Sequence, residues 1–188
     1  PLSKTEIIEI QSFLELVKNE DVLWQAKRPN IMVKKIEGLE HWFQINVAEE
    51  LTHILNLINK LNNEDVKDFL KIVLSSIIVR VSNQESDTRF AAKNKNIPNN
   101  FTFNLFLSRA NEYLIRITEY SEKVNNDGYL KLLNADSRDL SMLNDESVDI
   151  IITSPPYANT YDYYLYHKFR KRWLDLDVQY AQYNEIGS

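Results

Sequence analysis

Cysteine is absent from the chain, and glycine nearly so: Gly38, Gly128 and Gly187 are the three in 188 residues. The first absence excludes disulfides and thiolate metal sites and fits a reducing compartment. The second excludes a glycine-rich loop able to cradle a phosphate or a dinucleotide. Long apolar runs are missing, and the opening Pro1-Leu2-Ser3-Lys4-Thr5-Glu6 is too charged for a secretory leader. The expected location is the cytoplasm, with no membrane partner. Proline at the first position reads as a fragment or a trimmed product. Excess positive charge is missing too. At a net −5 the chain has no bulk basicity, so any nucleic-acid role must rest on local patches.

What is present is a core-forming composition. Apolar residues make up 44% and charged residues 26%, with ten tyrosines, eight phenylalanines and three tryptophans. The length fits one or two domains. His41 and His53 lack partners at ligand spacing, so packing or surface roles are expected of them, and no metal site. The tryptophans Trp24, Trp42 and Trp173 are expected to pack.

Helical spacing dominates the first part of the chain. Thr5 to Lys18 carries Ile7, Ile8, Ile10, Phe13, Leu14, Leu16 and Val17 on one broad stripe, with Ser3 placed to cap it. A second helical pattern lies within Glu37 to Leu61. Glu64 to Val81 is apolar on nearly every side, which predicts a helix central to its bundle. A fourth pattern runs from Phe103 to Val124. Between the last two, Ser82 to Asn100 is polar and reads as a loop. Arg80, Arg89, Lys93 and Lys95 sit at or near it. They belong either to a solvated connector or to a surface contacting phosphates and base edges.

The texture changes at the turn signal Asn125-Asn126-Asp127-Gly128. Tyr129 to Leu133 reads as a short strand, followed by Asn134-Ala135-Asp136. Val148-Asp149-Ile150-Ile151-Ile152-Thr153 is nearly continuous and β-branched, as in a strand buried on both faces of a parallel sheet. Tyr161 to Leu176 then predicts a helix. The expected organisation is α + α/β, with a helical domain over 1–125 and a partial α/β domain over 126–188.

Directly after the second strand stands Ser154-Pro155-Pro156-Tyr157. Ligands of open α/β sheets gather beyond the carboxyl ends of strands. Two prolines there fix the backbone and leave carbonyls free to accept. A base amino group is a poor nucleophile because its lone pair is delocalised into the ring. Rigid acceptors for its two N–H bonds favour a pyramidal nitrogen, and a phenol ring offers a stacking face.

The segment from Val148 to Tyr157 resembles the catalytic signature of the amino-methyltransferases, in which Asp, Asn or Ser precedes Pro-Pro and an aromatic. The serine form looks most like the N4-cytosine DNA enzymes, rather than the N6-adenine ones. The resemblance implies that Ser154 and the Pro155 carbonyl hold the target amino group, beside Pro156, and that Tyr157 stacks on a flipped base. It implies S-adenosyl-L-methionine (AdoMet) as cofactor, with Asp136 and Ser154 near it, and DNA as partner in a restriction-modification or related defence setting. It also implies that the strands open a Rossmann-like methyltransferase sheet, left incomplete here. The family has a glycine where Ala135 stands, and its aromatic-x-Gly-x-Gly cofactor loop is nowhere in this chain. In one circular arrangement of these enzymes that loop lies downstream, so the expectation is an N-terminal portion, completed by a missing C-terminal half or by a second polypeptide, and inactive alone.

Tyr161, Lys168 and Arg170 are further candidate nucleic-acid contacts, within a cluster that includes His167, Lys171 and Arg172; a solvated helix face is the plainer reading. Methylation of RNA or of a glutamine side chain, and a non-catalytic helical module, are the competing functions.

Overall fold

The computed structural model describes residues 2–124, 130–133, 135–154 and 162–185. Its body is a bundle of four principal helices. Helix α1 (Lys4–Ala26) starts where the sequence places it. Ser3 Oγ accepts the Glu6 N–H while the Ser3 N–H donates to the Glu6 carboxylate, a reciprocal capping box. The helix continues beyond Lys18 because Asp21 and Trp24 extend the buried stripe of Ile10, Phe13, Leu14 and Val17 at three- and four-residue steps. The expected helix within 37–61 is two, α2 (Leu39–Trp42) and α3 (Ile45–Asn59), divided where Phe43 adopts an extended backbone.

Helix α4 (Glu64–Val81) takes the central place that its pattern predicts. The Asn63 side chain accepts the Asp65 and Val66 N–H groups at its start. Val66, Leu70, Val73, Leu74, Ile77, Ile78 and Val81 are completely buried, and α4 meets α1, α3 and α5 (Phe101–Lys123). Helix α5 buries Phe103, Phe106, Ala110 and Leu114.

The stretch Ser82 to Asn100 is not wholly loop, so the helical part is not all-helical. It contains an antiparallel hairpin of β1 (Gln84–Ser86) and β2 (Arg89–Ala92), with Gln84 opposite Ala92 and Ser86 opposite Arg89. Phe90 explains why it folds back: its ring lies 4.5 Å from that of Trp42, giving a polar segment one apolar anchor. The helix expected over 161–176 is divided into α6 (Tyr163–Tyr166) and α7 (Lys168–Trp173) at His167, with α8 (Val178–Tyr183) following.

Helix α7 docks onto the bundle. Phe169 and Trp173 are 1% and 0% exposed, and both rings stand edge-on to Phe43, at 5.4 and 5.6 Å. Phe169 also stacks on Phe90 at 5.8 Å. Three cations fix the docking: Arg170 Nε donates to the Ser75 carbonyl, Arg172 reaches the Glu37 carbonyl and carboxylate, and Lys34 Nζ donates to the Trp173 carbonyl.

The strands expected at 129–133 and 148–153 are not formed among the described residues. Leu132, Ile151 and Ile152 are 86%, 80% and 93% exposed, and residues 148–154 lie outside any strand. A parallel strand buried on both faces needs a neighbouring strand for its N–H and C=O groups and a helix over each face. The one sheet among the described residues is the β1–β2 hairpin, which offers no such place.

Candidate active site

Ser154 is described and exposed. Pro155, Pro156, Tyr157 and Tyr161 lie outside the described residues. The segment before Ser154 is built from short turns. The Asp139 N–H donates to the Asp136 carbonyl, the Leu143 N–H to the Leu140 carbonyl, and Ser147 Oγ to the Asn144 carbonyl.

Asp136 is the candidate cofactor contact with the clearest geometry, and its carboxylate is already engaged. Arg138 Nε donates to both carboxylate oxygens, at 2.9 and 3.0 Å, and the Arg138 backbone N–H donates to Oδ1 at 2.9 Å. These bonds, the side-chain ones foremost, hold the carboxyl down at about 2. Arg138 also reaches Asn184 just after α8. The pair is open to solvent, so a cofactor hydroxyl or amine would approach Asp136 in competition with Arg138.

The basic candidates separate into two groups. Lys95 and Arg170 are used inside the fold. Lys95 Nζ donates at 2.8 Å to the Val79 carbonyl near the end of α4, and burial lowers its pKa. Arg170 bonds the Ser75 carbonyl, the Asp87 carboxylate and His167 Nδ1. Arg80 and Lys93 are exposed at the end of α4 and just past β2. Arg89 is also exposed, in an ion pair with Glu85 at 3.1 Å. Lys168, at the start of α7, is half-buried.

Two cavities meet at α7. One, of about 760 Å³, is walled by Lys71, Ile72 and Ser75 of α4, Tyr113 of α5, and Arg170 and Lys171 of α7. The other, of about 400 Å³, is walled chiefly by Tyr163, Tyr164, Asp177, Tyr180, Asn184 and Glu185. His167, Lys171 and Leu176 border both. Desolvation, and then the charge of Arg170, lower the His167 pKa, in keeping with a neutral ring accepting from Arg170. The sequence reading overlooked Lys71, Tyr113 and Tyr180 because each stands alone in its own segment. Only the packing of α7 against α4 brings them near the basic cluster.

No family model matches the chain, and no solved structure matches it. Among curated proteins it is similar to the Type II methyltransferase M.MvaI of Kocuria varians, with 29% identity over 161 residues. The similarity supports a methyltransferase relationship. The aligned region covers 76% of this chain and 34% of that protein, so the chain spans about a third of the curated relative it matches. The coverage matters for the N-terminal helices. The whole C-terminal segment from 126 onward is a minority of the chain, so a match over 76% of it includes helical-bundle sequence as well. Among the described residues, no helix is long and apolar enough to cross a membrane.

Proposed function

We propose that this chain carries the target-base-holding part of an AdoMet-dependent DNA methyltransferase acting on an exocyclic amino group, cytosine N4 by preference, in a restriction-modification setting. The observation that carries the reading is the coincidence of Ser154-Pro155-Pro156-Tyr157 with similarity to a Type II methyltransferase over most of the chain.

In this reading Ser154 Oγ and the Pro155 carbonyl accept the two amino N–H bonds of a base turned out of the duplex. Their rigidity orients the nitrogen lone pair toward the methyl donor before reaction, where preorganised polar groups have most leverage. Pro156 stiffens the corner and Tyr157 stacks on the base. AdoMet, when bound, would supply an electrophilic methyl group to the nitrogen that Ser154 and the Pro155 carbonyl hold. The exposed apolar run 148–153 becomes a strand of a Rossmann-like sheet when neighbouring strands are supplied, by further sequence of the same protein or by a second polypeptide. Its β-branched composition supports that reading, since such residues gain from a pleated, two-sided burial that this arrangement does not give them.

The test is nucleoside analysis of DNA after incubation of the native gene product with isotope-labelled AdoMet. Label in N4-methylcytosine is expected. Label in N6-methyladenine corrects the base, and label confined to RNA or protein overturns the DNA assignment.

A further inference from the structure

The two cavities adjoin at α7 as a groove with a shared lining of His167, Lys171 and Leu176. Their volumes, about 760 and 400 Å³, fall within the range of ligand-sized pockets. The chemistry of the two ends differs. At the larger end stand Lys71 and Lys171; neither takes part in a salt bridge among the described residues, and Lys71 feels the charge of Glu64, which is itself paired with Lys67. Arg170 is paired with Asp87, and among the described residues Asp68 is the one carboxylate on that wall.

The smaller end is aromatic. Tyr163 and Tyr180 are 37% and 65% exposed. Between them, Tyr164 is held in place: its N–H donates to Glu185, and its hydroxyl accepts from Gln182 Nε2 at 3.3 Å. The two carboxylates at this end face backbone N–H groups, with Glu185 accepting from Tyr164 and Asp177 capping α8 through the Tyr180 N–H at 2.8 Å. They therefore contribute less repulsion than their number implies. Cations beside flat rings, with α6 beginning shortly after Ser154 in the chain, match the alternation of phosphate and base along one nucleic-acid strand.

We propose that this groove seats a stretch of single DNA strand beside the target nucleotide, with phosphates at Lys71 and Lys171 and a base against Tyr163 and Tyr180. The assignment rests on the DNA-methyltransferase reading for its choice of partner. It accounts for binding by a chain of net charge −5 through two local cations instead of overall charge.

The experiment measures fluorescence anisotropy of a short labelled single-stranded DNA with the full chain, as a function of salt. Lys71→Glu combined with Lys171→Glu is expected to weaken binding at least ten-fold and to flatten the salt dependence, since two phosphate contacts are lost. An oligonucleotide carrying abasic sites is expected to bind more weakly, and Tyr180→Ala to weaken the intact strand but not the abasic one. All three positions are partly or largely open to solvent, and circular dichroism checks that each variant keeps its fold. Unchanged affinity in the double lysine variant, or equal binding of intact and abasic strands, overturns the groove. Tighter binding of the RNA of the same sequence overturns its assignment to DNA. Methyl transfer to DNA without any effect of the lysine changes removes the groove and leaves the enzyme reading standing. Loss of binding in the variants, together with no transfer to DNA by the native gene product, supports the groove and removes the enzyme reading.

Discussion

The Glu50 carboxylate, wholly buried on α3, accepts the backbone N–H of Thr102 at 3.1 Å and so caps the buried start of α5. Its other oxygen accepts the Asn100 N–H at 2.7 Å. Asn100 stands at φ 66 as the N-cap and makes no side-chain cap bond of its own, so a residue of another helix supplies the acceptor. Glu50→Ala leaves two N–H donors without this partner. A loss of about 1–3 kcal/mol is expected by chemical denaturation. A loss below the error of that measurement contradicts the capping role.

Burial raises the pKa of Glu50 above 4.5, against the opposing pull of the Asn100 and Thr102 bonds. Protonation is thus easier in the folded chain than in the unfolded one. The stability this group contributes is full below 4.5 and declines as pH rises through the raised folded value. Glu50→Gln should remove that decline from a plot of stability against pH, whatever its effect on the absolute value.

Trp173 fills the space beside Phe43. Trp173→Ala is expected to cost about 3–5 kcal/mol, as for other large aromatic truncations in a core. Trp173→Phe should cost much less, because the indole N–H has no hydrogen-bond partner among the described residues to lose. Equal losses for the two variants would show that ring volume is not what matters at this position.

Asp136 and Arg138 make a prediction of opposite sign. The carboxyl is held at about 2, so the pairing contributes above 3.8 and is lost as pH falls toward 2. In Arg138→Ala, an NMR titration of Asp136 should move up toward the ordinary carboxylate value. If Asp136 approaches a cofactor in the working enzyme, the same substitution should change AdoMet affinity.

How far the sequence was legible follows from what each signal measures. Three- and four-residue spacing reports one buried face, and α1, α4 and α5 were readable because each satisfies its own backbone. Ser3 was readable because its cap is local. The β1–β2 hairpin was missed because Gln84 to Ala92 is polar apart from Phe90 and two alanines, and its anchor on Trp42 is distant in sequence. The end of α6 at His167 was missed for a related reason: docking Phe169 and Trp173 against Phe43 decides where the helix bends. Residues 148–153 mark the limit of pattern reading. A β-branched run states what would be buried if partners were present, and among the described residues they are not. For the site, the pairing of Asp136 with Arg138 was not legible in the sequence, nor were the bonds of Lys95 to the Val79 carbonyl and of Arg170 to the Ser75 carbonyl.

The most direct test of the central claim compares turnover and cofactor affinity in one variant. Ser154→Ala, made in the native gene product and assayed for methyl transfer to DNA, should lower kcat on the order of 10²-fold, the usual cost of removing one preorganised polar contact from a reacting group. AdoMet affinity, measured by calorimetry on the same preparation, should stay within about two-fold of the parent. Parent-like turnover in Ser154→Ala, or equal losses of turnover and AdoMet affinity, would contradict the role assigned to this residue.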